Sequence, residues 1–118
     1  MEKDRVNSAA GALEGTVFAL YEKPSETFTK AFVAKYKRDP GITADTAYDA
    51  VIVYAKAVRA VNSLNTDEVN KELHSTSRFE GASGTFSFDP KGAVDKSPVL
   101  WRISGKEYLR ENLATNIP

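Results

Sequence analysis

The feature that most limits how this chain can fold is the run TADTAYDAVIVYAKAVRAVNS, from Thr43 to Ser63, rich in alanine and apolar along most of its length. Such a run reads as one long helix. Thr46, with Asp49 three residues on, forms a box-like start. Ala47, Ala50, Val51, Tyr54, Val58 and Val61 then fall on a single stripe. Ile52, Val53 and Ala57 extend the apolar surface around the sides, which predicts a helix covered on more than one side. Its alanines let a sheet or a second helix come close, so this helix is the expected centre of the core.

The flanking segments alternate in kind. Residues 1–13 have helical character ending at Gly11 or Gly15, and GTVFALYE, from Gly15 to Glu22, is β-branched and aromatic strand material. Lys23-Pro24 breaks that strand, Ser25 is placed to accept from free backbone N–H groups, and Glu26 suits the positive end of a helix. A helix is therefore predicted over Ser25 to Arg38. Its Phe28, Ala31, Phe32 and Tyr36 share a face expected to pack inward, and Asp39-Pro40-Gly41 stops it. Asn65 to Glu68 cap a shorter helix with Val69 and Leu73 turned inward. Thr85 to Phe88 alternate as a strand, Asp89-Pro90-Lys91-Gly92 reads as a type I turn, and SPVLWRIS from Ser97 is a further strand. GKEYLREN then closes with a turn or short helix. The result is an α/β chain with about three main helices and three short strands.

Charge and composition exclude several classes. The 118 residues are of single-domain size, and sixteen Lys and Arg balance sixteen Asp and Glu, so no net field draws nucleic acid or an anionic membrane. The densest basic group, Lys35, Lys37 and Arg38, is interspersed with acidic residues and reads as a solvated face. Absence of cysteine removes disulfides, thiolate nucleophiles and Cys-based metal sites. The start MEKDRVNSAAGALEG has no apolar signal-peptide core, and no apolar run is long enough to span a membrane.

The residues that could carry chemistry each have a structural reading beside them. Gly81 and Gly84 precede a strand and no Gly-Lys-Ser/Thr follows, so they are expected to supply positive φ rather than cradle phosphate. His74, the single histidine, stands where an imidazole favours the last carbonyls of a helix. Asp45 and Asp49 are four apart at a helix start; a carboxylate pair can do acid–base work, but here both are first of all anions at a positive helix end. Tyr36, Tyr48, Tyr54 and Trp101 could wall a ligand or pack a core. No catalytic constellation, metal site or cofactor motif emerges, so an enzyme is not expected.

The order of motifs carries more than any one of them. Leu13-Glu14-Gly15, then Phe32 to Tyr36, Asp39-Pro40, Ala47-Tyr48-Asp49-Ala50 and finally FEGASGTFSFDPKG from Phe79 to Gly92 resemble the C-terminal third of type I periplasmic solute-binding proteins of branched-chain amino-acid ABC transporters. The resemblance covers nearly the whole chain. It implies a fragment of a fold with two α/β lobes joined by crossings, closing by hinge motion on an amino acid or similar small organic solute. Residues 1–21 and 97–118 would belong to one lobe and 23–96 to the other. Crossings would fall at Tyr21, Glu22 and Lys23, and at Asp95, Ser97 and Pro98.

Thr43, Ala44, Asp45 and Tyr48 would lie on the cleft margin, while the main ligand-holding groups of the family come from outside this chain. The resemblance further implies an extracytoplasmic location, a membrane permease as partner, no cofactor and no nucleic acid. Unpaired sheet edges in such a fragment predict a homo-oligomer, domain-swapped through a strand or the arm from about Ser97. A stand-alone interaction, dimerisation or sensor module that reuses this part of the fold is the alternative.

Overall fold

Backbone hydrogen bonding orders residues 3–112, which the computed structural model describes, into four helices and six strands. They are α1 (Lys3–Ser8), β1 (Val17–Leu20), α2 (Glu26–Tyr36), α3 (Ala44–Val61), α4 (Thr66–His74), β2 (Phe79–Gly81), β3 (Gly84–Phe88), β4 (Val94–Asp95), β5 (Val99–Ser104) and β6 (Glu107–Arg110). The chain is mixed α/β as expected, with twice the expected strands. β2 and β4 are too short to show alternation in sequence. The third addition, β6, replaces the turn or short helix read in GKEYLREN, because Gly105 at φ +63° turns the chain straight back onto β5.

These elements form two compact units, Lys23–Lys96 and the paired chain ends Met1–Glu22 with Ser97–Pro118. In the terminal unit the antiparallel sheet runs β1-β5-β6. Register places Phe18 opposite Trp101 and Ile103 opposite Tyr108, so all four share one face. Phe18 and Tyr108 meet edge to face at 5.3 Å, and Trp101 and Ile103 are buried, as is Val6 of α1. On the other face Arg102 pairs with Glu111 at 2.6 Å and donates to the Gly15 carbonyl at 3.1 Å. The hydrogen bond to Glu111, reinforced by its charge, holds the guanidinium pKa above its ordinary value.

The central unit packs α3 and α4 beside the antiparallel sheet β2-β3-β4. Val53, Phe79 and Phe86 make its core, with Ile52, Leu73 and Phe88 against them. Burial of each large apolar side chain contributes about 1.5–3 kcal/mol. Phe79 and Phe86 are register partners with ring centroids 5.1 Å apart, and Phe88 continues the same face at 5.9 Å from Phe86. Asn65 caps α4 as predicted, accepting from the N–H groups of Asp67 and Glu68, and Val69 is buried. The type I turn also forms: Gly92 N–H donates to Asp89 O at 2.9 Å, while Asp89 Oδ1 accepts from Lys91 and Ala93.

Two helices depart from their predicted form. α2 ends at Tyr36, earlier than Arg38, with Lys37 in the left-handed conformation donating to Val33 O. The residue before Pro40 must stay extended, so the chain leaves the helix ahead of the Asp-Pro-Gly turn. Along α3 the buried side chains are Asp45, Asp49, Val53 and Ala57, whereas Val51 and Tyr54 of the predicted stripe are 67% and 50% exposed. The inward face was displaced by the two carboxylates, because Asp49 has hydrogen-bond donors waiting for it inside.

Candidate functional site

The start of α3 gathers four of the residues singled out in the sequence. Its cap is Thr43, at φ +89° and without a side-chain capping bond, rather than the Thr46 and Asp49 box. A β-branched residue seldom takes that conformation, and such outliers concentrate at functional positions. Capping passes instead to Asp45, 7% exposed, whose Oδ1 accepts the Thr46 N–H at 2.9 Å. Thr43 is exposed and Ala44 half-buried. The helix therefore begins with small side chains, an open hydroxyl and a carboxylate at its positive end.

Tyr48 follows one turn later, 51% exposed, and starts an aromatic ladder. Ring centroids run Tyr48 to Phe28 at 5.3 Å, Phe28 to Phe32 at 5.7 Å and Phe32 to Tyr36 at 4.6 Å. The spacing of the aromatics on α2 places them on one face, as predicted, but Phe28 and Phe32 are only half-buried and Ala31 and Tyr36 are exposed. The basic group lies on this ladder: Arg38 stands 5.5 Å from the Phe32 centroid and Lys35 stands 5.4 Å from that of Tyr36. Tyr54 is exposed further along α3, and Trp101 is buried in the terminal unit's sheet. Of the four aromatics proposed as a wall, the structure brings Tyr36 and Tyr48 into one array.

Asp49 has a different role from Asp45. It is 2% exposed, and its two oxygens accept the N–H groups of Ala82 at 2.7 Å and Ser83 at 2.8 Å, at the tip between β2 and β3. This explains Gly81, which does not take positive φ as expected. A methyl group there would stand 2.3 Å from Asp49 Oδ2, so the position is glycine because the carboxylate lies against it. Gly84 does take φ +101°. The signal available in sequence was the joint presence of Tyr48-Asp49 and Phe79-x-Gly81-x-x-Gly84; their contact required the fold.

The remaining candidates are placed as follows. Tyr21 and Glu22 follow β1, and Glu22 pairs with Arg110 at 2.6 Å; Lys23 begins the central unit. Asp95 ends β4, and the boundary between units falls between Lys96 and Ser97, just before Pro98. His74 ends α4, but the carbonyl of Glu72 is taken by the Ser75 N–H and hydroxyl, and Ser75 and Thr76 N–H groups reach Lys71 and Leu73. The imidazole instead stands over Gly92, where a methyl group would lie 2.9 Å from Nε2. Among the described residues no three His, Asp or Glu side chains converge as a metal site, and no helix is long and apolar enough to cross a membrane.

This architecture has known counterparts. Residues 2–104 match the periplasmic binding protein family, and the chain belongs to it. Among solved structures it is similar to the leucine-binding protein LivK of Thermotoga maritima, at 24% identity and TM-score 0.80, over 93% of this chain and 33% of that one. A branched-chain amino-acid ABC transporter periplasmic ligand-binding protein of Burkholderia xenovorans matches at 23% identity and TM-score 0.79, over 95% and 34%. The Streptococcus pneumoniae substrate-binding protein LivJ, solved with isoleucine, matches at 24% identity and TM-score 0.72, over 93% and 35%. The chain thus spans about a third of the length of these relatives. No curated protein matches it.

Proposed function

We propose that this chain is the C-terminal third of a solute-binding protein that captures an amino acid or similar small organic solute outside the cytoplasm and delivers it to an ABC-transporter permease. The family match over residues 2–104 carries the reading. Relatives include proteins solved with leucine, isoleucine and benzoate, which supports small organic acids as the solute class. The role is binding and not catalysis.

In this reading the central unit is a piece of one lobe and the terminal unit a piece of the other. The chain passes between units at Glu22/Lys23 and Lys96/Ser97, within segments 21–25 and 96–98 that are neither helix nor strand. Such segments can absorb the backbone rotation of hinge closure. Thr43, Ala44, Asp45 and Tyr48 form the cleft margin. The exposed Val51 and Tyr54, with the half-covered ladder on α2, are surface that the remaining two-thirds of the fold covers. When this chain is alone, a second copy takes that place, and the chain is a homo-oligomer.

The first test is the reading frame upstream of Met1: continuation in frame through about twice the present length, ending in a signal peptide, is expected, and an in-frame stop codon directly upstream sinks the reading. Calorimetry supplies the second. Leucine, isoleucine, valine and benzoate should show no micromolar binding to this chain alone, because ligand pockets bury most of a ligand's surface. In the completed protein, Tyr48→Ala should weaken solute binding about tenfold or more. The same exposed residues favour the dimerisation-module alternative, which predicts an upstream stop together with a dimer by light scattering that Val51→Lys dissociates.

A further inference from the structure

The tip between β2 and β3 uses all four of its backbone polar groups on partners from elsewhere. Ala82 and Ser83 direct their N–H groups to Asp49, at the start of α3. The Ala82 carbonyl accepts the Ser25 N–H at 2.7 Å, two residues into the central unit. The Ser83 carbonyl accepts from Lys96 Nζ, and Lys96 is the last residue of that unit. Ala82, Ser83 and Asp49 are all buried, so the two bonds to the carboxylate do not compete freely with water.

From this arrangement we infer that Asp49 is a positioning residue that, through the hairpin tip, clamps both ends of the central unit to the start of α3. The carboxylate accepts from and orients two consecutive N–H groups. Its charge polarises the Ala82–Ser83 peptide unit, whose N–H it accepts and whose carbonyl holds Ser25, and the Ser83 carbonyl that holds Lys96 follows in the next unit of the same buried tip. Asp49 also lies one residue from Tyr48 and one turn from Asp45. A change of position at the start of α3 is therefore passed to residues 25 and 96 through one short chain of hydrogen bonds. That these ends are crossings between lobes rests on the solute-binding reading; the clamp itself does not.

Native-state amide exchange by NMR on the 118-residue chain, in low urea, tests it. The amides of Ser25, Ala82 and Ser83 should open together, with one dependence on urea. Asp49→Asn should speed all three by about tenfold beyond any change at Val69, and should shift the Lys96 Cε resonance. Val69→Ala is the control for general destabilisation and should not single out the three amides. Ser25 or Lys96 unmoved while Ala82 and Ser83 open faster, or equal acceleration of Val69 and the tip, overturns the clamp. If Asp49→Asn does not fold, the wild-type urea series decides alone: Ser25 opening separately from the tip is the contrary result. Failure of solute binding in the completed protein, with the exchange pattern intact, overturns the functional reading and leaves the clamp.

Discussion

Among the described residues, the tips of the β2-β3 and β5-β6 hairpins each meet a carboxylate from elsewhere in the chain, and they do so in opposite settings. Between β5 and β6, Gly105 donates its N–H to Glu14 Oε2 at 2.8 Å, on the exposed side of the terminal unit. Between β2 and β3, the N–H groups of Ala82 and Ser83 meet Asp49, which is almost without solvent contact. Water can replace Glu14 at the first tip. At the second it cannot, so the same chemistry is an accessory in one place and a structural requirement in the other.

The largest test of that contrast is Asp49→Ala, which leaves two buried donors without an acceptor and should cost about 4 kcal/mol in urea unfolding. Helical circular dichroism should report the loss with a lower midpoint than Trp101 fluorescence, since the single tryptophan lies in the other unit. Next is Gly81→Ala, whose methyl group collides with the carboxylate; about 2–3 kcal/mol is expected from the same unfolding curves. Gly105→Ala meets no neighbouring atom but must keep φ +63°, so a loss of about 1–2 kcal/mol should appear, now led by Trp101 fluorescence. Smallest is Glu14→Gln, below about 1 kcal/mol. A Glu14 effect as large as that of Asp49→Ala would erase the distinction between the tips.

Several local signals were legible where a residue and its partner lie within one turn, although the Thr46–Asp49 box was not among them. Asn65 capping α4, Ser25 accepting the Phe28 N–H, and Asp89 with Gly92 closing the turn all pair residues a few positions apart, and all formed as read. The pattern of β3 was legible too, with Phe86 and Phe88 on one face. The inward face of α3 was not. Apolar periodicity favoured Val51 and Tyr54, but hydrophobicity counts only the side chain and not what waits across the gap. A carboxylate with two convergent N–H donors outweighs a valine for that place.

The proposed cleft margin was read in sequence as a segment, Thr43 to Tyr48, through the family's motif order. The form of that segment was not: no motif marked the left-handed Thr43 or the cap supplied by Asp45, and the rings linking Tyr48 to Tyr36 depend on Phe28 of α2 meeting Tyr48 of α3. Sequence alone determined the α/β class, the caps that open α2 and α4, the Asp89–Gly92 turn and the family, because each rests on short-range spacing or on the order of motifs. Tertiary structure decided which side of α3 is buried, why position 81 is glycine and how β6 pairs. Each of those depends on residues far apart in the chain, whose meeting only the folded backbone brings about.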